Sequence, residues 1–70
     1  MLGEQEATTL VVETVDVHGV IYMDVTLRFP DDAVETARLG VESVPQGLRA
    51  AEKVVVVRAA NVVVSLRRPE

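Results

Sequence analysis

Apolar and polar residues alternate most clearly over residues 20–29. The apolar positions there are Ile21, Met23, Val25, Leu27 and Phe29. A period of two places these side chains on one face of an extended strand, whereas a helix would scatter them. The sequence therefore predicts a strand over residues 20–29, with Met23, Val25 and Leu27 buried and with Asp24 and Thr26 on the opposite face.

Four further segments have strand-like patterns. They are residues 8–17, 34–41, 54–57 and 62–66. In the first of them the alternation changes phase near Glu13 and Thr14, which indicates a bulge or a change of partner strand. His18 and Gly19 are typical of a two-residue hairpin turn. Pro45 and Gly47 interrupt residues 42–47, so that segment is predicted to be a single helical turn or a compact loop.

Five short strands with regular turns are typical of a small barrel or a closely curled sheet. We therefore expect an all-β fold, a small five-stranded OB-like barrel with one short helical turn. Residues 1–7 show no strand pattern and are expected to form a flexible N-terminal tail. Residues 8–70 are then a single small β-barrel domain.

The valine-rich strands bear on assembly. Residues 54–57 are four consecutive valines, so both faces of that strand are apolar. A domain of 70 residues buries only about 60% of its unfolded surface, and without cysteine it has no disulfide to support it. We expect the outer face to be covered by another subunit in a homo-oligomer. The alternative is that the run is simply a deeply buried strand.

Charge is unevenly distributed along the chain. Residues 1–35 hold eight acids and one base, and residues 36–70 hold three acids and six bases, giving the net charge of −4. The acidic balance disfavours nucleic acid as a partner. The asymmetry is either chance or a means for opposite poles to attract between subunits. With an acidic N-terminus and no long apolar segment, we expect a cytoplasmic protein without membrane contact.

No group of residues predicts catalysis or a metal site. His18 is the single histidine and lies in a turn, two residues from Asp16, and nothing places Ser43 or Ser65 beside it. Asp31 and Asp32 follow a proline in a turn, where aspartate is common for backbone bonding alone. We expect a protein that is not an enzyme, with no metal ligands and no cofactor.

One set of residues favours an anion site. Arg38, Arg58 and the hairpin loop at residues 59–61 place basic side chains and turn N–H groups in the same half of the chain. Such groups together can form an oxyanion pocket. The alternative is that these arginines are solvated surface residues.

Residues 20–66, taken in order, resemble the small molybdate-binding domains of the Mop type, within the TOBE group of OB-like barrels. The shared layout includes residues 41–44, Val-Glu-Ser-Val, residues 47–54, Gly-Leu-Arg-Ala-Ala-Glu-Lys-Val, and residues 57–64, Val-Arg-Ala-Ala-Asn-Val-Val-Val. Ala51 stands where the family has a turn glycine, and Arg58-Ala59-Ala60 replaces the family's Lys-Ala-Ser. The Ser-Ala-Arg-Asn segment with which the family often begins has no counterpart before Thr8.

The resemblance implies an oxyanion ligand, molybdate or a similar ion. Arg58 would supply charge and the amides of Ala60 and Asn61 would supply donors, with Arg38 and Ser43 as further candidate ligand-binding residues. We therefore expect a small non-catalytic oxyanion-binding domain that assembles as a homo-oligomer. The first alternative is a structural or protein-interaction module on the same fold without ligand binding. The second is an AbrB-type swapped-hairpin DNA-binding domain, which residues 16–21 and 48–57 resemble.

Overall fold

A computed structural model describes the backbone of residues 2–70 and the side chains of residues 3–70. Its elements are β1 (Leu2–Val17), β2 (Val20–Arg28), β3 (Val34–Gly40), a 3-10 turn (Val41–Ser43), β4 (Lys53–Ala59) and β5 (Val62–Arg67). The strands form one antiparallel sheet in the order β3-β2-β1-β4-β5. The all-β class, the five strands and the helical turn are thus confirmed. No helix in the described part of the chain is long and apolar enough to cross a membrane.

The predicted closure into a barrel is wrong. β3 and β5 are the two edge strands of the sheet, and they approach one another without a ladder between them. Both are short, with seven residues in β3 and six in β5. The sheet therefore curls around its core but stays open along the seam between its edges.

The first strand is longer than predicted. Residues 2–8 pair with β4, from Leu2 opposite Ala59 to Thr8 opposite Lys53, so the segment expected to be a loose tail is half of a central strand. Its side chains gave no apolar signal because Glu4 and Glu6 lie on the outer face, opposite Val57 and Val55. Met1, also part of the predicted tail, lies outside the described residues.

β1 changes its partner strand at Thr8 and Thr9. Residues 2–8 pair with β4 and residues 8–17 pair with β2, with a register shift between Thr9 and Val11. The sequence predicted this irregularity near Glu13 and Thr14, about four residues too late. Those two residues are in regular register with Asp24 and Met23. Apolar residues occur on both faces there because that part of β1 extends past the core.

Hydrogen bonds of Thr9 stabilise the point at which β1 changes its partner strand. Its hydroxyl donates to the carbonyl of Arg49 at 2.6 Å and accepts from the N–H of Glu52 at 3.0 Å. Its backbone N–H donates to the Glu52 carbonyl at 2.9 Å, and its carbonyl accepts from the N–H of Ala51 at 2.7 Å. Thr9 is fully buried. The turn before β4 is therefore held to the point at which β1 leaves β4 for β2.

The register predicted for β2 is confirmed. Val25 and Leu27 are fully buried, and Met23 is half-buried against the core. Asp24 and Thr26 lie on the other face, opposite Arg38 and Thr36 of β3. Ile21, by contrast, is 42% exposed, because the end of the β1–β2 hairpin extends beyond the residues that enclose the core.

The valine-rich strands divide between two faces. Val54, Val56, Val63 and Leu66 are in the core. Val55 and Val57 lie on the outer face and are half-buried, while Val62 is 63% and Val64 39% exposed. The inner valines of β4 are thus buried within one chain, and the outer apolar surface of these strands is only partly covered.

Leu27→Ala should lower the free energy of unfolding by about 2–5 kcal/mol, because it leaves a cavity at a fully buried site. Ile21→Ala is the control: it removes an exposed side chain from the same strand and should cost less than about 1 kcal/mol. Urea unfolding at a fixed protein concentration measures both. Equal midpoints for the two variants would contradict the register.

Ala51→Gly should stabilise the protein by up to about 1 kcal/mol, because Ala51 has a φ of 65° and glycine adopts that conformation without strain. Its neighbour Ala50 is the matched control, since it is not among the positive-φ residues and Ala50→Gly should be neutral or destabilising. The same urea titration compares them. A lower midpoint for Ala51→Gly than for Ala50→Gly would show that the turn is not strained at Ala51.

Candidate functional site

An open cleft of about 600 Å³ lies at the end of the sheet where the β4–β5 turn meets the start of β1. We call it the Arg58 cleft. Its walls come from three parts of the chain: residues 3–5 of β1, the segment from Phe29 to Glu35, and Arg58 with the turn residues Ala60 and Asn61. Three of the five predicted site residues, Arg58, Ala60 and Asn61, therefore share one cleft.

The guanidinium of Arg58 is the central group of this cleft. Its Nη1 and Nη2 atoms donate to the two carboxylate oxygens of Glu35 at 3.2 and 3.0 Å. Nε donates to Oε1 of Gln5 at 3.1 Å, and Nη1 also donates to the carbonyl of Asn61 at 3.2 Å. Four of the five N–H groups of the guanidinium thus have partners. Arg58 of β4 thus holds Glu35 of β3, a strand with which β4 has no ladder, and Gln5 of the neighbouring β1.

Packing further restricts Arg58. Its side chain is only 19% exposed, and its guanidinium carbon lies 5.5 Å from the centroid of the Phe29 ring. Contact of this kind between a cation and an aromatic face is favourable, and more so when water is partly excluded. An anion that bound Arg58 would have to compete with Glu35 for a guanidinium that is already paired and packed.

The charge of the cleft is acidic on balance. Glu4, Asp31 and Glu35 line it, and Arg58 is the one base in its lining. Glu4 pairs with Arg67, whose Nη2 lies 3.2 Å from its Oε1, and Asp31 accepts a hydrogen bond from the N–H of Ala33 at 3.1 Å. The charged side chains of the lining, three acids and one base, therefore disfavour an anion.

The left-handed residue of the β4–β5 hairpin loop is Ala60, whose φ is 54°. Asn61 contributes its carbonyl to Arg58. The loop thus supplies an acceptor to the arginine, in addition to the amide donors expected of Ala60 and Asn61.

Arg38 and Ser43 lie outside the Arg58 cleft. Arg38 forms a bidentate pair with Asp24 across β2 and β3, with Nε to Oδ1 at 2.8 Å and Nη2 to Oδ2 at 2.9 Å. The hydrogen bond from Arg38 lowers the pKa of the Asp24 carboxyl below its usual value. Ser43 belongs to the 3-10 turn and lines a second, shallow cleft with Ser65, Arg67 and Arg68.

Acidic residues of the first half of the chain form ion pairs with basic residues of the second half. Among residues 3–70, three ion pairs join acids of the first half to bases of the second: Glu4 to Arg67, Asp24 to Arg38 and Glu35 to Arg58. A fourth pair joins Arg68 to Glu52 within the second half, and the hydrogen bond from the backbone N–H of Arg49 lowers the pKa of Glu52. The poles predicted to attract between subunits thus meet within one subunit.

The β1–β2 hairpin turn carries His18 and Asp16. Asp16 accepts a hydrogen bond from the N–H of Gly19 at 2.8 Å. His18 and Gly19 have φ values of 52° and 84°, the pair of left-handed conformations that a type I′ turn requires. The carboxylate therefore supports the turn.

A further surface was not anticipated as a site. The part of the hairpin beyond Thr9, residues 10–22, is called the arm here. Four of its large apolar side chains are exposed by more than a third: Leu10, Val11, Val20 and Ile21. Val11 and Val20 lie on the outer face of the sheet and Ile21 on the inner face. The signal in the sequence was the apolar content of residues 15–21 on both sides of a tight turn.

Comparison of the chain with known protein families, with curated protein sequences and with solved structures found no match. The resemblance to Mop-type domains therefore remains a prediction from short motifs.

Proposed function

We propose that this protein is a small non-catalytic interaction module that works as a homo-oligomer. The observation that carries the proposal is the arm, where Leu10, Val11, Val20 and Ile21 present apolar side chains to solvent, and whose end, residues 16–21, extends beyond the β2–β3 ladder as a two-stranded ribbon. Apolar surface of this kind marks interaction sites in small proteins.

Size supports the same proposal. A chain of 70 residues without cysteine has a thin margin of stability, and a partner subunit is one of the few remaining means of support. A two-stranded ribbon is marginally stable by itself in water. Covering the arm with a partner would remove its apolar surface from water and add stability where the chain has least.

Oxyanion binding, of molybdate or a similar ion, is the second candidate function. It is favoured by the convergence of Arg58, Ala60 and Asn61 on one cleft. The pairing of Arg58 with Glu35 opposes it, because a bound anion would have to displace that carboxylate. The interaction module is therefore the stronger proposal.

Light scattering should give the parent protein a mass that is a multiple of 7.6 kDa at micromolar concentration. A double variant, Leu10→Glu with Val11→Glu, should shift the mass toward the monomer because it places charge in the apolar arm. Val34→Glu is the control, since Val34 is an exposed valine outside the arm. A monomeric parent that unfolds cooperatively would contradict the proposal.

Titration calorimetry with molybdate, sulfate and phosphate tests the second candidate. Glu35→Gln should bind at least about tenfold more tightly than the parent, since it frees the guanidinium of Arg58 and removes a negative charge. Glu4→Gln makes the same charge change in the same cleft without touching Arg58 and should bind like the parent. If none of the three proteins gives heat at millimolar anion, oxyanion binding fails and the interaction module stands.

A further inference from the structure

The second half of the central strand β1 has an edge without a partner strand. β1 pairs with β4 through Thr8, and from Val11 to Val17 it pairs only with β2. The side of β1 that faced β4 is closed at Thr9 by its two backbone hydrogen bonds to Ala51 and Glu52. Beyond that point no strand lies beside β1 in the described part of the chain.

The direction of the backbone groups follows from the hairpin. Val17 and Val20 close the two-residue turn, and residues along an antiparallel ladder alternate between facing and turning away from the partner strand. Counted from that closing pair, Val12, Thr14 and Asp16 direct their N–H and C=O groups away from β2. The arm thus has an unpaired strand edge with three residues whose N–H and C=O groups face outward. Such an edge is a template for pairing with another strand.

The arm has less protection than such an edge commonly has. Natural edges are blunted by charged residues, above all lysine, by proline and by bulges; residues 8–17 contain no lysine or proline, and Glu13 and Asp16 are their only charges. The other edges are better protected, since Pro30 precedes β3 and Arg38 lies within it, while Arg68 and Pro69 follow β5. The open edge of β1 is therefore the one most suited to pairing.

We propose that a second copy of this chain pairs with this edge, β1 against β1, antiparallel about a twofold axis at Thr14. This inference rests on the proposed homo-oligomer and names its interface. In this register Thr14 lies opposite Thr14 of the second copy and Val11 lies opposite Val17. Cross-strand threonine pairs and apolar pairs stabilise a sheet, and each favourable pair except the central one occurs twice.

Geometry and charge select Thr14 among the three outward-facing residues. A twofold axis at Val12 would place Asp16 opposite Thr8, which already pairs with Lys53 of β4. An axis at Asp16 would place two carboxylates directly opposite one another, which is destabilising. An axis at Thr14 places Glu13 opposite Val15 and Asp16 opposite Val12, so no acid faces an acid.

Charge at the ends of the edge is complementary in the same register. Leu10 would lie opposite His18 of the second copy, which brings the second copy's turn at His18 and Gly19 beside the first copy's turn at residues 49–52. Arg49 of that turn is exposed and forms no ion pair within residues 3–70. The edge itself carries Glu13 and Asp16 and no base, so Arg49 adds a positive charge near the end of the other copy's acidic strand.

Thr14→Lys should weaken the dimer at least about 100-fold in sedimentation equilibrium, because it places two ammonium groups opposite one another on the axis. Thr36→Lys is the matched control: the same change at an exposed threonine of β3, the other side of the hairpin. It should leave the dissociation constant within about threefold of the parent. Equal effects of the two variants, or none, in a parent that is dimeric would overturn the β1 interface while leaving self-association in place.

Cysteine cross-linking tests the register directly, since the parent has no cysteine. Residues directly opposite in such a pair have Cα atoms about 5.5 Å apart, within the range that a disulfide spans. Thr14→Cys should therefore form a disulfide-linked dimer under mild oxidation, and Thr36→Cys should not. A dimeric Thr14→Cys protein that fails to cross-link would overturn the Thr14 axis, whereas a monomeric parent would overturn the proposed function as well.

Discussion

The fold depends on the hydrogen bonds of one buried threonine. Thr9 has no exposed surface, so each of its polar atoms needs a partner, and the turn before β4 supplies them through Arg49, Ala51 and Glu52. A buried hydroxyl or amide without a partner costs about 1–3 kcal/mol. This requirement fixes where β1 stops pairing with β4, and so how the long strand is shared between the two halves of the sheet.

As a result, the two halves of β1 differ in how many elements pack beside them. At one end, the Arg58 side chain of β4 binds Gln5 of β1 and Glu35 of β3 and packs over Phe29. These side-chain contacts hold β3 near β4, although the two strands share no ladder. At the other end, the arm continues past the core with no element against its open edge. The same partner change that completes the core therefore exposes the surface on which the proposed interaction rests.

Sequence reasoning succeeded where one face of a strand is buried. Alternation placed Val25 and Leu27 in the core, because a one-residue slip would expose both. It failed for residues 2–7, whose pairing with β4 is made by backbone groups that every residue carries. It also failed for Arg58, since Glu35 and Gln5, which lie 23 and 53 positions away, give no local sign that they will pair with it.

The ion pairs explain why an arginine in a loop-rich cleft is weak evidence for an anion site. A guanidinium has value for a ligand only to the extent that its N–H groups remain available, and a bidentate carboxylate occupies the geometry that an oxyanion would use. Glu35 already holds Arg58 in that geometry. Arg58 thereby contributes to the closure of the sheet, whereas the unpaired backbone groups at the edge of β1 and the exposed side chains of Leu10, Val11, Val20 and Ile21 lie at the arm. Another strand would pair with those backbone groups and cover those side chains, which a small ion would not, so these contacts favour the proposed self-association over ligand binding.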